Sequence, residues 1–221
     1  MRKVALFVKG QAESIFIRDF LLKWYEYDAD ELGFECFTLV SNDLYPTNYV
    51  WGSKNSANYY QIINVNNDNA VIGRIVENSS QLIKRGFELI VGLRDMYSPQ
   101  YRTLAKDHRI HQELNEKFIE SSNKVVTECP YPCHISIHFA IMEVEAWMIG
   151  LMKFVDDDPE TTVFHPAHLL DSFLKQKGRR YDKKEGEVES ICGLFAKEDY
   201  IKLMESGKCL SFKKFVGSLL G

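Results

Sequence analysis

No apolar run in this chain of 221 residues is long enough to cross a bilayer, so no transmembrane helix and no membrane partner are expected. The start, MRKVALFVKGQ, mixes basic and apolar residues. The run between Lys3 and Lys9 is too short for a secretory signal, and no small-residue cleavage site follows. A cytoplasmic protein is the expectation. Cysteine is scarce: Cys36, Cys129, Cys133, Cys192 and Cys209 are odd in number and scattered, which argues against a disulfide framework. Zinc is not expected either. Cys129, Cys133, His134 and His138 are spaced more tightly than a zinc finger, and no second pair follows. Positive charge is not in excess, since 27 Lys and Arg face 31 Asp and Glu for a net charge of −4. Strong non-specific DNA binding by the whole surface is therefore not expected, although a local basic face is compatible with these numbers. Repeats and low-complexity tracts are absent.

What is present reads as α/β. KVALFV (3–8), FECFTLV (34–40), FELIVGL (87–93) and CHISIHFA (133–140) are short apolar or alternating runs of strand type. Residues 11–27 and 70–85 carry apolar stripes at helical spacing, and Gly86 follows the second as a C-terminal cap. Pro99 opens a long helix expected to reach about residue 122. Val144, Trp147, Met148 and Leu151 mark another. The alternation predicts a mostly parallel sheet of about four to five strands flanked by helices. Residues 42–60 read as an irregular loop rich in aromatics, either a partner surface or a cluster folded over the sheet. The character changes at residue 153. The expected division is an α/β domain over 1–152 and a helical extension over 153–221 packed on it.

Ligands of open parallel sheets bind beyond the carboxyl ends of the strands. Lys9, Gly10 and Glu13 follow the first run, Arg94, Asp95 and Tyr97 the third, and Glu143 and Glu145 the fourth. A few carboxylates at one rim are how a hard divalent cation such as Mg²⁺ or Mn²⁺ is held. Acidic residues in first helical turns also complement the helix dipole, a plain role open to Glu13 and Glu143. If a helix begins at Met142, Glu143 and Glu145 diverge and only one faces the rim. Asp95 is the least structural of the set, because Ser98 is the natural cap ahead of Pro99. One glycine at residue 10 does not make a phosphate-binding loop, so nucleotide binding is the weakest reading.

These segments resemble the Toprim-like domains of topoisomerases, primases and overcoming-lysogenization-defect nucleases. More closely, the chain resembles a small bacterial Toprim-like family of unknown function, often encoded beside AAA or SMC-like ATPases in phage-defence islands. LFVKGQAESIF (6–16), IVGLRDMYS (90–98) and HFAIMEVEAW (138–147) carry the likeness. HPAHLLDSFL (165–174), RYDKKEGEVE (180–189) and CLSFKKFVGSLL (209–220) extend it over nearly the whole chain. The resemblance implies a Toprim-like fold and Mg²⁺- or Mn²⁺-dependent phosphodiester chemistry. Asp95 matches the first aspartate of the metal-binding Asp-x-Asp, Tyr97 stands at the second, and Lys9 stands where the family has its first-strand glutamate. Glu13 could supply the missing carboxylate, with Asp95, Glu143 and Glu145 completing the metal ligands. Lys9 could contact a phosphate, or pair with Asp95 and fill the cation's place.

Two function classes follow. One is a metal-dependent nuclease using Lys9, Glu13 and Asp95. The other is a catalytically degenerate, non-enzymatic partner of an ATPase, motivated by Lys9 and Tyr97. A DNA or RNA surface, if present, would use Lys175, Lys177, Arg179, Arg180, Lys183 and Lys184, with Tyr181 among them able to stack on a base. Asp182, Glu185 and Glu187 dilute that field, and a solvated charged loop is the plainer reading.

Overall fold

In the computed structural model, which describes residues 1–41, 43–153 and 155–221, the apolar runs form the middle of one sheet. The strands are β1 (Arg2–Val8), β2 (Leu32–Val40), β3 (Asp43–Trp51), β4 (Asn58–Asn64), β5 (Leu89–Asp95) and β6 (Ile135–Ala140), in spatial order β3-β2-β4-β1-β5-β6. β1 runs parallel to β4 and β5, and β2 parallel to β4. β3 pairs antiparallel with β2 at the sheet's edge. The chain is thus α/β with a mostly parallel sheet, as expected, but with six strands among the described residues rather than four or five.

The difference lies in residues 43–64, read from sequence largely as a loop. β3 is mostly exposed and carries Pro46, which an edge strand tolerates because one side needs no ladder bonds. β4 is a buried inner strand whose polar groups hid it. Its tips are satisfied: Tyr59 Oη donates to Glu35 at 2.7 Å, the Tyr60 and Tyr25 hydroxyls share a 2.9 Å bond, and Gln61 Oε1 accepts from Arg85 at 3.3 Å. The turn from β3 to β4 needs Gly52, with φ +56 and no room for a Cβ, which would lie 2.0 Å from the Leu32 carbonyl oxygen. The aromatics of this stretch therefore divide. Tyr59 and Tyr60 are core, whereas Tyr45 and Tyr49 stay on the exposed edge, Tyr49 lying 3.5 Å beneath the Arg18 guanidinium.

Packing divides the chain into two compact units: residues 1–94 with 119–138, and residues 95–118 with 139–221. In the first, α1 (Gln11–Trp24) packs on β1, β2 and β4, and α2 (Ala70–Lys84) on β1. Gly86 closes α2 as expected: at φ +84 its N–H reaches Ile83 O, while Phe87 N–H reaches back to Leu82 O, a Schellman closure. The long helix expected from Pro99 is two helices, α3 (Pro99–Leu104) and α4 (Gln112–Thr127). Between them Asp107 accepts from the Arg109 N–H and pairs with His111, and His108 has φ +55; these local bonds compete with helix continuation.

The second unit is built on α5 (Glu145–Met152), which is buried on nearly every side. An all-round apolar helix belongs in a core. α6 (Pro159–Thr162), α7 (Pro166–Gln176) and α9 (Lys197–Glu205) pack on it, with α8 (Glu185–Cys192) and α10 (Leu210–Leu220) completing the helical set. Trp147 of α5 stacks on Phe215, and its indole N–H lies 2.9 Å from Glu160 and 2.8 Å from Ser211 Oγ. Glu160 also accepts the Ser211 N–H at 3.0 Å, tying α6 to the start of α10. Burial pushes the Glu160 carboxyl above its usual range, against the bonds from Ser211 and Trp147. No helix among the described residues is long and apolar enough to cross a membrane.

Gly92 in β5 faces Ile75 and Val71 of α2 and Ile137 of β6; a Cβ there would sit 2.7 Å from Ile75 Cδ1 and 2.8 Å from Ile137 Cδ1. Gly92→Ala is expected to destabilise the chain by about 1–3 kcal/mol through overpacking, read as a lower urea midpoint at unchanged slope.

Candidate acidic site with a resident lysine

Asp95 is the last residue of β5 and is 1% exposed. It does not cap the helix that follows. Ser98 does, its Oγ accepting from the Tyr101 N–H at 3.1 Å. The backbone beyond β5 is held to the backbone beyond β6: Met96 N–H donates to Ala140 O at 2.9 Å and Tyr97 N–H to Met142 O at 2.8 Å. Met142 is buried with φ +63, a conformation uncommon outside glycine. This turn delays the helix. α5 begins at Glu145, not at Met142, so Glu143 precedes the helix and the expected divergence of the two glutamates does not arise.

Both glutamates meet one cation. Lys183 Nζ lies 2.7 Å from Glu143 Oε1 and 3.1 Å from Glu145 Oε1. Burial alone would lower the Lys183 pKa, but the charges of Glu145, Glu143 and Asp95 outweigh it, and the pKa is raised well above the usual lysine value. Two carboxylates beyond β6 thus meet one ammonium from the segment between α7 and α8, and the charge of Asp95 beyond β5 acts on it as well. Tyr181 Oη adds a 2.7 Å bond to Glu145 Oε1. Glu143 Oε2 lies 3.5 Å from Ala167 N in the first turn of α7, a favourable place for negative charge. Glu145 is 0% exposed, and its second oxygen has no hydrogen-bond partner among the described residues. Among the described residues Glu143 and Glu145 share this one ammonium, so the formal charges of these three groups leave one negative charge in excess.

Beside this site lies a cluster of rings. Tyr97 packs edge-on against Phe164 and His165, with centroids at 5.4 and 5.3 Å, and Arg102 lies over the Tyr97 ring at 5.4 Å. His165 stacks on His168 at 5.2 Å, and His108 contacts both Phe164 and His165. Burial, then the nearby His168 and His108, lower the His165 pKa, while Glu143 works in the opposite direction.

Several expectations change here. Lys183 does not present itself to a surface strand: it is half-buried because desolvated carboxylates hold it. Tyr181 is 5% exposed and bound to Glu145, so it is not available to stack on a base. The rest of the basic stretch is largely matched locally. Lys175 pairs with Asp171 at 2.5 Å, Lys184 pairs with Asp182, Arg179 Nη2 lies 2.6 Å from Ser190 Oγ, and Lys177 lies over Phe173; Arg180 is exposed. Glu13 and Lys9 belong to the first unit. Glu13 is 2% exposed in the first turn of α1, and a Cβ on Gly10 would come within 3.1 Å of its carboxylate. Lys9 is half-buried at the end of β1. The cysteine and histidine residues set aside for zinc have other neighbours: His134 Nδ1 is 2.8 Å from Glu88 O, and His138 Nε2 is 2.7 Å from Ser136 Oγ. As the side chains stand, with Lys183 on Glu143 and Glu145, no group of three or more His, Cys, Asp or Glu side chains among the described residues is arranged to hold a metal ion, so a metal at Asp95, Glu143 and Glu145 would require Lys183 to move aside.

Comparison with family models, with curated proteins and with solved structures finds no match.

Lys183→Met leaves Glu143 and Glu145 without their cation. Removing one member of a buried ion pair costs several kcal/mol, and discounting for the partly exposed Lys183 the expected loss is about 1–3 kcal/mol. Because the folded-state pKa lies above the unfolded one, the contribution is whole below about pH 10.4 and fades as pH rises through the folded-state value. Urea unfolding of both proteins across pH 6–11 checks it: a gap constant to about pH 10 and narrowing above.

Proposed function

We propose that this chain is a Toprim-like phosphoryl-transfer enzyme, a Mg²⁺- or Mn²⁺-dependent nuclease, whose acidic site is the cluster of Asp95, Glu143 and Glu145 around Lys183. The observation that carries the reading is that Glu143 and Glu145 share a single ammonium, with an open oxygen on the buried Glu145. Structural ion pairs tend to balance their charges in low dielectric. Two glutamates that share one ammonium, with the buried Asp95 at the neighbouring strand exit, have the donor chemistry of a site for a hard divalent cation, made of oxygen ligands only. Asp95, Glu143 and Glu145 are the residues that would hold it, and once bound it would polarise a phosphate and stabilise a leaving oxygen.

The chain's own groups then have distinct tasks. Lys183 offsets part of the charge of Glu143 and Glu145 and would offer an ammonium to a phosphate oxygen. Tyr181 fixes the Glu145 carboxylate by its 2.7 Å bond. The first turn of α7 fixes Glu143. Lys183 is well placed to shift, since it lies outside any helix with φ +64, and moving its side chain breaks no regular element.

A second reading is favoured by one observation: the Lys183 ammonium already sits where the carboxylates converge. On that reading the lysine permanently replaces the metal, and the chain is a non-enzymatic partner of an AAA or SMC-like ATPase.

Calorimetric titration with Mn²⁺ separates the two. The nuclease reading expects binding in the wild type, loss in Asp95→Asn, and tighter binding in Lys183→Met with loss of Mn²⁺-dependent cleavage of labelled DNA and RNA. No heat in any of the three proteins would sink it and leave the partner reading.

A further inference from the structure

The ring cluster next to the acidic site has a shape that packing alone does not require. Phe164 is buried and serves as its floor. Above it Tyr97 and His165 are half-exposed, and His108 and His168 are exposed. Core aromatics are drawn in by burial, and these rings are not. His165 and His168 lie nearly parallel, 28° apart at 5.2 Å, so the pair is a short stack whose outer member is at the surface. His108 is held against Phe164 and His165 at 5.5 and 5.7 Å on a backbone with φ +55. A conformation of that kind needs support from its surroundings.

Two connections tie the cluster to the carboxylates. Tyr97 is two residues past Asp95, and its N–H is bonded to Met142 O, just before Glu143. His165 is two residues before Ala167, whose N–H points at Glu143. The neighbouring segment is basic at its surface: Arg102 lies over Tyr97, and Lys106 and Arg109 are exposed. Flat ring faces, a few cations and an adjoining acidic site are the parts from which single-stranded nucleic-acid sites are made. Bases stack on rings regardless of identity, and cations follow the phosphates.

We propose that the cluster of Tyr97, His108, His165 and His168 is a stacking platform that receives an unpaired base of a single-stranded nucleic acid and sets its phosphate toward the Asp95, Glu143, Glu145 and Lys183 site. The inference rests on the phosphoryl-transfer reading for its direction, but binding to the platform needs no metal. It narrows the substrate class to strands with exposed bases, because paired bases have no free face to offer.

The test is fluorescence anisotropy at low salt in EDTA, with labelled dT12, rU12, an abasic strand of equal length and a duplex as probes. The expected result is that dT12 or rU12 binds at least five-fold more tightly than the abasic strand and the duplex. His168→Ala and His108→Asn should each remove most of that preference at unchanged melting temperature. Asn is chosen because it tolerates the positive φ of residue 108. Preference for dT12 marks a DNA strand and preference for rU12 an RNA strand. Equal binding of all four probes, no binding of any, or variants indistinguishable from wild type would overturn the proposal. Since no cation is present, failure here leaves the Mn²⁺ titration untouched, and failure there leaves this binding untouched.

Discussion

The second unit depends on one ammonium group. Lys183 is the positive charge that lets Glu143 and Glu145 lie within hydrogen-bonding distance of one atom, with the charge of Asp95 acting on the same lysine. Bringing such acids out of water costs several kcal/mol for each ion, and attraction at short range offsets part of it when the geometry is good. One lysine cannot neutralise both glutamates. The arrangement is therefore held from outside, by a backbone that has no freedom to relax. Met142 is fixed by its turn and by its bond to Tyr97, and Glu145 is fixed at the head of a helix buried on nearly every side. The apolar packing of α5 on α6, α7 and α9 is what keeps the carboxylates together.

That division of labour explains why the fold was more legible than the site. β1, β2, β5 and β6 announce themselves as apolar or alternating runs, and α2 ends on the glycine that its pattern predicts. Periodicity reports burial, and these elements are buried on the faces that periodicity describes. β3 and β4 were missed for opposite reasons. β3 is an edge strand with little burial to report, and β4 is buried with polar residues whose partners, Glu35, Tyr25 and Arg85, are distant in sequence. No local pattern carries a bond between residues that far apart.

The acidic residues were found because they follow strands, and topology makes strand exits a short list. Their arrangement was not found. The expected helix start at Met142 separated Glu143 from Glu145, whereas the left-handed turn at Met142 keeps both on one cation. Lys183 and Tyr181 were hidden in a charged stretch where five other basic residues crowd within ten positions. No local pattern singles them out, because the stretch reads as part of a polar helical tail and the bonds of Tyr181 to Glu145 and of Lys183 to Glu143 span 36 and 40 positions. Their neighbours Asp182 and Lys184 point to solvent and pair with each other.

The sharing of one ammonium by two glutamates also constrains how the site can change. A ligand that brings positive charge is favoured by Glu143 and Glu145, and it competes with Lys183 for the same oxygens. A ligand that brings negative charge is repelled unless Lys183 turns to meet it. On the proposed reading these two events assist one another. A bound cation would take the carboxylates from the Lys183 ammonium and leave it free for a phosphate, and the arriving phosphate would favour retention of the cation. The coupling is electrostatic and needs no movement of α5 or of the sheet. It needs only that the lysine be tethered loosely enough to swing, and a residue between two helices meets that requirement where a residue within α5 would not. On the proposed reading a lysine, with its long flexible stem, suits that exchange better than an arginine, whose rigid fork would bind two carboxylates firmly and release them reluctantly.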